Sequence, residues 1–115
     1  MPALTFVRPV LRSITLGFQF EDGDVKQVSV AWSHGMTVLD ALNRASEKPH
    51  GITFLKSGDR SSAFVTEIDG QVNDASGSWI YRVNGEFAMV GCGEYVVKYD
   101  DGIDWVFEPF DRKLH

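Results

Sequence analysis

Cys92, His34, His50 and His115 are the residues from which a nucleophilic centre could be assembled. A cysteine nucleophile needs a base, most often histidine, and a partner that orients the base. Cys92 lies within Gly91-Cys92-Gly93, a tight turn that wants small residues, while His34 and His50 flank a helical stretch and His115 is the last residue. No Gly-x-Ser-x-Gly elbow occurs, and no glycine-rich phosphate loop leads into a helix. Cys92 therefore reads as a small turn residue, and no enzymatic activity is expected.

Metal chemistry has equally little to work with. The histidines and the cysteine show neither C-x-x-C nor H-x-x-x-H spacing, so no zinc site is expected. Asp22 and Asp24, and Asp100, Asp101 and Asp104, could gather around calcium, but each group flanks a turn glycine. Aspartate is common there because it bonds its own backbone. Turn chemistry is the expectation, and no metal.

Aromatic side chains carry the remaining signal. Trp32, Trp79, Trp105, Tyr81, Tyr95, Tyr99 and eight phenylalanines exceed what a core around one helix requires. Ile103, Trp105 and Phe107 share one face of a strand, and Tyr95, Val97 and Tyr99 share another. If one set turns outward beside a glycine-rich turn, it suits a flat amphipathic ligand or a protein partner. If neither does, all of them fill the core.

The elements that must position these residues are short. Ile14, Leu16, Phe18 and Phe20 alternate with polar or small residues, as do Val28, Val30 and Trp32, giving two strands joined at Glu21-Asp22-Gly23-Asp24. Thr37 is placed to cap a helix, with Asp40 answering in a capping box and Met36 and Ala41 at the staple positions. The helix is expected over about residues 37–48, bounded by Pro49 and Gly51. Beyond it come a strand at Ile52–Phe54, a loop at 57–62 and a strand over 63–68. Trp79–Val83 and Glu86–Met89 are expected to pair across Asn84-Gly85. Tyr95–Tyr99 and Ile103–Phe107 are expected to pair across Asp100-Asp101-Gly102. Two strands, one helix and then a run of strands predict an α+β fold of the β-grasp kind, a mixed sheet curled around one helix.

The 115 residues are 43% hydrophobic, enough for a single core, and are expected to form one domain over 13–110. Residues 1–12 would be an arm or edge strand and 111–115 a tail. Sixteen acidic against eleven basic residues leave a net charge of -5, the wrong sign for a cationic nucleic-acid surface. The lone cysteine excludes an internal disulfide framework. No apolar run approaches the roughly 20 residues of a membrane span. Pro2 and Pro9 interrupt the start, which makes a poor signal peptide. As written the chain reads as cytoplasmic, and as secreted or periplasmic if an export signal has been trimmed.

Five motifs occur in order: Gly35-Met36-Thr37-Val38-Leu39-Asp40-Ala41-Leu42, Phe64-Val65-Thr66-Glu67-Ile68-Asp69-Gly70, Ser78-Trp79-Ile80-Tyr81-Arg82-Val83-Asn84-Gly85, Val90-Gly91-Cys92-Gly93-Glu94-Tyr95-Val96-Val97 and Asp101-Gly102-Ile103-Asp104-Trp105. The likeness they carry extends over residues 14–108. The series resembles the carboxy-terminal domain of transcobalamin and intrinsic factor, and the bacterial domains of unknown function grouped with it. The resemblance implies a soluble-ligand-binding β-grasp that covers one face of cobalamin. It places the ligand-facing positions at Trp79 and Tyr81 and along the turn from Val90 through Gly91, Cys92 and Gly93 to Tyr95. Met89 and Val90 stand where the carriers tend to have polar side chains, leaving an apolar lip. The carriers' helical companion domain has no counterpart among these residues, so weak, one-sided binding is expected. The D-x-H-x-x-G pattern of histidine-on cobalamin enzymes is missing as well, so His34 is not expected to ligate cobalt. The expectation is a non-enzymatic ligand-binding module for a cobalamin-like or other flat amphipathic molecule. The alternative is a protein-interaction module or homodimer that uses the same apolar surface or a sheet edge.

Overall fold

The computed structural model describes residues 12–110. The expected arm, apart from Arg12, and the tail at 111–115 lie outside the described residues. Strands β1 (Ser13–Gln19) and β2 (Val25–Ala31) form the first hairpin, with Leu16 opposite Val28 and Ile14 opposite Val30. Their alternation buries Ile14, Leu16, Phe18, Val28 and Val30 on one face. The turn is closed as its aspartates predict: Asp22 Oδ1 accepts from Asp24 N at 2.9 Å.

Helix α1 (Val38–Ser46) begins where its cap dictates. Thr37 Oγ1 accepts from Asp40 N at 3.1 Å, and Asp40 Oδ2 accepts from Thr37 N at 2.9 Å. Val38, Leu39, Ala41, Leu42 and Ala45 form its buried stripe, with Met36 buried at the entry. Nine residues make a marginal helix in isolation, so this one is held by its packing on β1 and β2.

The chain then builds a three-stranded sheet from β3 (Phe54–Ser57), β4 (Phe64–Ile68) and β5 (Gln71–Val72), with one 3-10 turn at Arg60–Ser62. It returns to the main sheet through β6 (Gly77–Val83), β7 (Glu86–Phe87) and β8 (Ile103–Pro109). The main sheet has the order β2-β1-β8-β6-β7, with β8 parallel to β1 and antiparallel to β6. Among the described residues this is an α+β fold with a mixed sheet and one α-helix. No helix among them is long and apolar enough to cross a membrane.

Three expectations need correction, and one strand was not expected. Residues 95–99 form no strand and do not pair with β8; only an isolated bridge joins Val96 to Thr37. The reason is Asp101, which is buried and closes its own turn by accepting from Lys98 N at 2.8 Å and from Asn84 Nδ2 at 2.9 Å. The strand expected at Ile52–Phe54 starts at Phe54, because Asp69 Oδ1 takes Thr53 N at 2.8 Å outside the ladder. β7 ends at Phe87 and not at Met89. β5 is absent from the sequence reading, having two residues and no period to show.

Candidate functional site

The first free amides of α1 fix a turn. Val38 N donates to Tyr95 O at 3.0 Å and Leu39 N to Cys92 O at 2.9 Å. Val97 N in turn donates to Met36 O at 2.8 Å. Donors that a helix start leaves unsatisfied are thus spent on the Gly91–Tyr95 segment. On its other side the segment lies against the 3-10 turn so closely that a Cβ on Gly93 would fall 2.0 Å from Arg60 O. Glycine is required there for space.

Asn73 fixes the facing wall. Its side chain accepts from Trp79 N at 2.8 Å and donates to Val65 O at 2.9 Å, joining β4 to β6. Trp79 Nε1 donates to Gln71 O at 2.8 Å, which adds the start of β5. On the buried face of β6 and β8, Trp79 lies opposite Phe107 and Tyr81 opposite Trp105. The ring centroids are 5.6 Å and 5.3 Å apart, and Phe20 meets Trp79 edge-on at 5.3 Å.

Between these walls lies an open groove of about 520 Å³. Trp79, Tyr81 and Trp105 lie beneath it, Ala63, Phe64 and Val65 come from the β4 side, and Gly91 and Cys92 from the turn. Ile80, Phe87, Ala88 and Glu108 complete the lining, which is mostly apolar. Trp105 Nε1 is buried with no acceptor, whereas the indoles of Trp79 and Trp32 are both satisfied. Tyr81 donates its hydroxyl proton to Val90 O, tying the strand to the turn. Burial above all, with the neighbouring Cys92, Tyr95 and Glu94 adding, pushes its phenol up to about 12. Burial also raises the Cys92 thiol, whose Sγ lies 3.9 Å from Ala63 O.

The sequence-predicted positions divide. Trp79, Tyr81, Gly91 and Cys92 come together on the groove. Trp79 and Tyr81 are only 2% and 8% exposed, so they offer edges to the groove and not whole faces. Tyr95 packs edge-on against Tyr81 at 6.4 Å and stands behind the lining. Gly93 faces a separate, more polar depression with Thr37, Asp40 and Arg60. Met89 is 95% exposed and Val90 45%, both outside the lining. Sequence reasoning missed Ala63, Phe64 and Val65 on one wall and Ile80, Phe87, Ala88 and Glu108 on the other, and it left Trp105 among the surplus aromatics without assigning it to the site. The Asn84-Gly85 hairpin signal alone could have brought Phe87 beside Arg82. Among the described residues, no group of three or more histidine, cysteine, aspartate or glutamate side chains is placed to hold a metal ion.

Comparisons with known proteins agree with this architecture. The structure of haptocorrin in complex with Cbi superposes with a TM-score of 0.74 at 17% identity, over 90% of this chain and 27% of that one. The chain thus spans about a quarter of haptocorrin's length. A protein from Ruminococcus gnavus, provisionally described as metal binding, superposes with a TM-score of 0.65 at 14% identity, over 87% of this chain and 99% of that one. At these identities the likeness is one of fold. No curated protein sequence matches. A family model described as a domain of unknown function, DUF4430, matches residues 35–109, from the entry of α1 to the end of β8. The match takes in well over half of the sequence, and the chain belongs to the DUF4430 family.

Proposed function

We propose that this protein is a non-enzymatic ligand-binding module of the β-grasp type, with the groove above Trp79, Tyr81 and Trp105 as its site. The observation that carries the reading is the groove itself: an apolar concavity whose walls are fixed by hydrogen bonds from α1 and Asn73. Pre-formed apolar concavities with few polar groups are what small-molecule sites look like. The fold shared with haptocorrin, whose structure holds Cbi, makes a cobalamin-like corrinoid the first candidate. Cys92 supports the non-enzymatic part of the reading, since a buried thiol with a raised pKa is a poor nucleophile. Calorimetric titration with cobalamin and with cobinamide, followed in parallel by tryptophan fluorescence, tests the corrinoid. Saturable heat and quenching are expected, weak because the groove is open on one side. Neither signal at millimolar ligand removes corrinoids from the proposal.

A second reading has its own observation. Phe64, Phe87, Met89 and Val90, each between 45% and 95% exposed, lie on or next to the groove. Exposed apolar side chains gathered in one place mark interaction surfaces. On this reading the same region meets a protein partner or a second copy, and sedimentation shows a mass that rises with concentration. A strict monomer at high concentration argues against self-association.

A further inference from the structure

An unfinished charged pair stands at the rim of the groove, with Ile80 on the face of β6 and β8 turned away from Trp79, Tyr81 and Trp105. Arg82 lies on β6 with its guanidinium carbon 4.4 Å from the centroid of the Phe87 ring, and Phe87 lines the groove. Its Nη2 is 3.9 Å from Oε2 of Glu108, the charged residue of the lining. That separation is an ion-pair contact and too long for a hydrogen bond. Arg82 Nε is buried and has no acceptor among the described residues. Three of the other long cations are hydrogen-bonded, while Arg12 stacks on Tyr99 as Arg82 does on Phe87. Arg44 donates to Ala31 O and Ser33 Oγ, Lys26 to Gly51 O and Asp69, and Lys56 to Gly58 O and Asp59. Among the described residues Arg82 is held by stacking and this ion-pair contact, with its hydrogen-bond donors unspent beside a carboxylate whose acceptors are unspent. The two side chains are 32% and 46% exposed, so the pair is within reach of an incoming molecule.

We propose that Arg82 and Glu108 form a clamp for a carboxamide on an apolar ring, the ring lying in the groove; the proposal rests on the groove being a ligand site. A carboxamide carries an acceptor and a donor side by side. Its carbonyl accepts from the guanidinium while its NH₂ donates to the carboxylate, so both halves of the pair are used. A ligand carboxylate satisfies only Arg82 and meets the repulsion of Glu108 and of a chain with net charge -5. A bare hydrocarbon uses neither.

The test titrates the full chain with 2-naphthamide, 2-naphthoate and naphthalene, following the tryptophan indole and β6 amide signals by ¹⁵N NMR. The amide is expected to bind about tenfold more tightly than either of the others, the usual worth of hydrogen bonds to charged groups at a partly exposed site. In Arg82→Met, which keeps an apolar side chain over Phe87, the amide should fall to within about twofold of naphthalene, with naphthalene itself unchanged. In Glu108→Gln, naphthoate should gain several-fold. If Arg82→Met fails to fold, the ranking of the three probes on the unmodified protein decides alone. An amide that binds no better than naphthalene, with both shifting the Trp79 and Trp105 signals, overturns the clamp and leaves the groove standing. No shift with any probe overturns the groove reading and the clamp with it.

Discussion

At Tyr81 a single hydroxyl joins the strand under the groove to the turn beside it, and its protonation should be visible in the stability of the whole chain. The proton donated to Val90 O belongs to the neutral phenol, and burial pushes that phenol from its ordinary value of 10.0 up to about 12. A group whose pKa is raised by folding stabilises the native state fully below its unfolded pKa and loses that contribution as pH rises through the folded one. The window is therefore the alkaline one, from about pH 10 to about pH 12. Denaturant titrations on either side of pH 10 should show unmodified protein losing more stability than Tyr81→Phe, and an identical loss in both would refute the assignment. At neutral pH the variant should cost about 1 kcal/mol for the missing hydrogen bond. Cys92 gives a second test: its raised pKa and burial predict slow thiol labelling in the native protein that becomes fast in denaturant. Tyr81 and Cys92 entered the sequence reading as site residues through the resemblance, and the structure sets both on the groove. The strand expected to run to Met89 stops at Phe87, since two-residue β7 gives no period to show where the pairing ends.

The capping box of α1 was equally legible, being written in four consecutive residues, and its loss has local and remote consequences. Thr37→Ala should lower stability by about 1 kcal/mol, as helix caps generally do, measured by thermal or urea unfolding. Because Val38 and Leu39 donate to Tyr95 and Cys92, fraying of the first turn should also speed amide exchange across residues 91–97. A stability loss without faster exchange there would mean that the turn stands without the helix. The failed expectation of a hairpin between 95–99 and β8 belongs to this scale too. Asp100-Asp101-Gly102 is a turn, as its residues say. Nothing local reveals that its far side inserts between β1 and β6, a pairing decided by contacts distant in sequence. The deciding residue is Asp101, whose carboxylate holds both Lys98 N and Asn84 Nδ2, while Asn84 Oδ1 accepts from Gly102 N at 2.8 Å. Asp101→Ala strands two donors and should cost about 2 to 3 kcal/mol, well above the loss for Thr37→Ala. A smaller loss would show that water replaces the carboxylate.

Over the whole molecule, the groove exists because the two sheets end at different places. β7 pairs with only Arg82 and Val83, so β6 runs on past it toward Gly77 while Asn73 holds β4 close by. A longer β7 would fill that space with its own strand, so the concavity follows from the topology and not from any one side chain. This separates the two proposed uses of the region. A small ring needs the interior of the groove, and a protein partner needs the exposed rim. Ala88, half-buried in the wall, controls the first, and Met89, 95% exposed, belongs to the second. Ala88→Trp places an indole where the ligand would lie and should abolish titratable binding of a ring ligand. Met89→Asp removes apolar rim area, adds charge and should leave ring binding within about twofold, since surface changes of this kind seldom reach beyond their own contacts. Concentration-dependent mass in sedimentation should respond the other way, vanishing in Met89→Asp and persisting in Ala88→Trp. If Met89→Asp instead removes ring binding at unchanged stability, the ligand extends over the lip. The site would then include Met89 and Val90, where the resemblance to the vitamin carriers puts them and the lining of the groove does not.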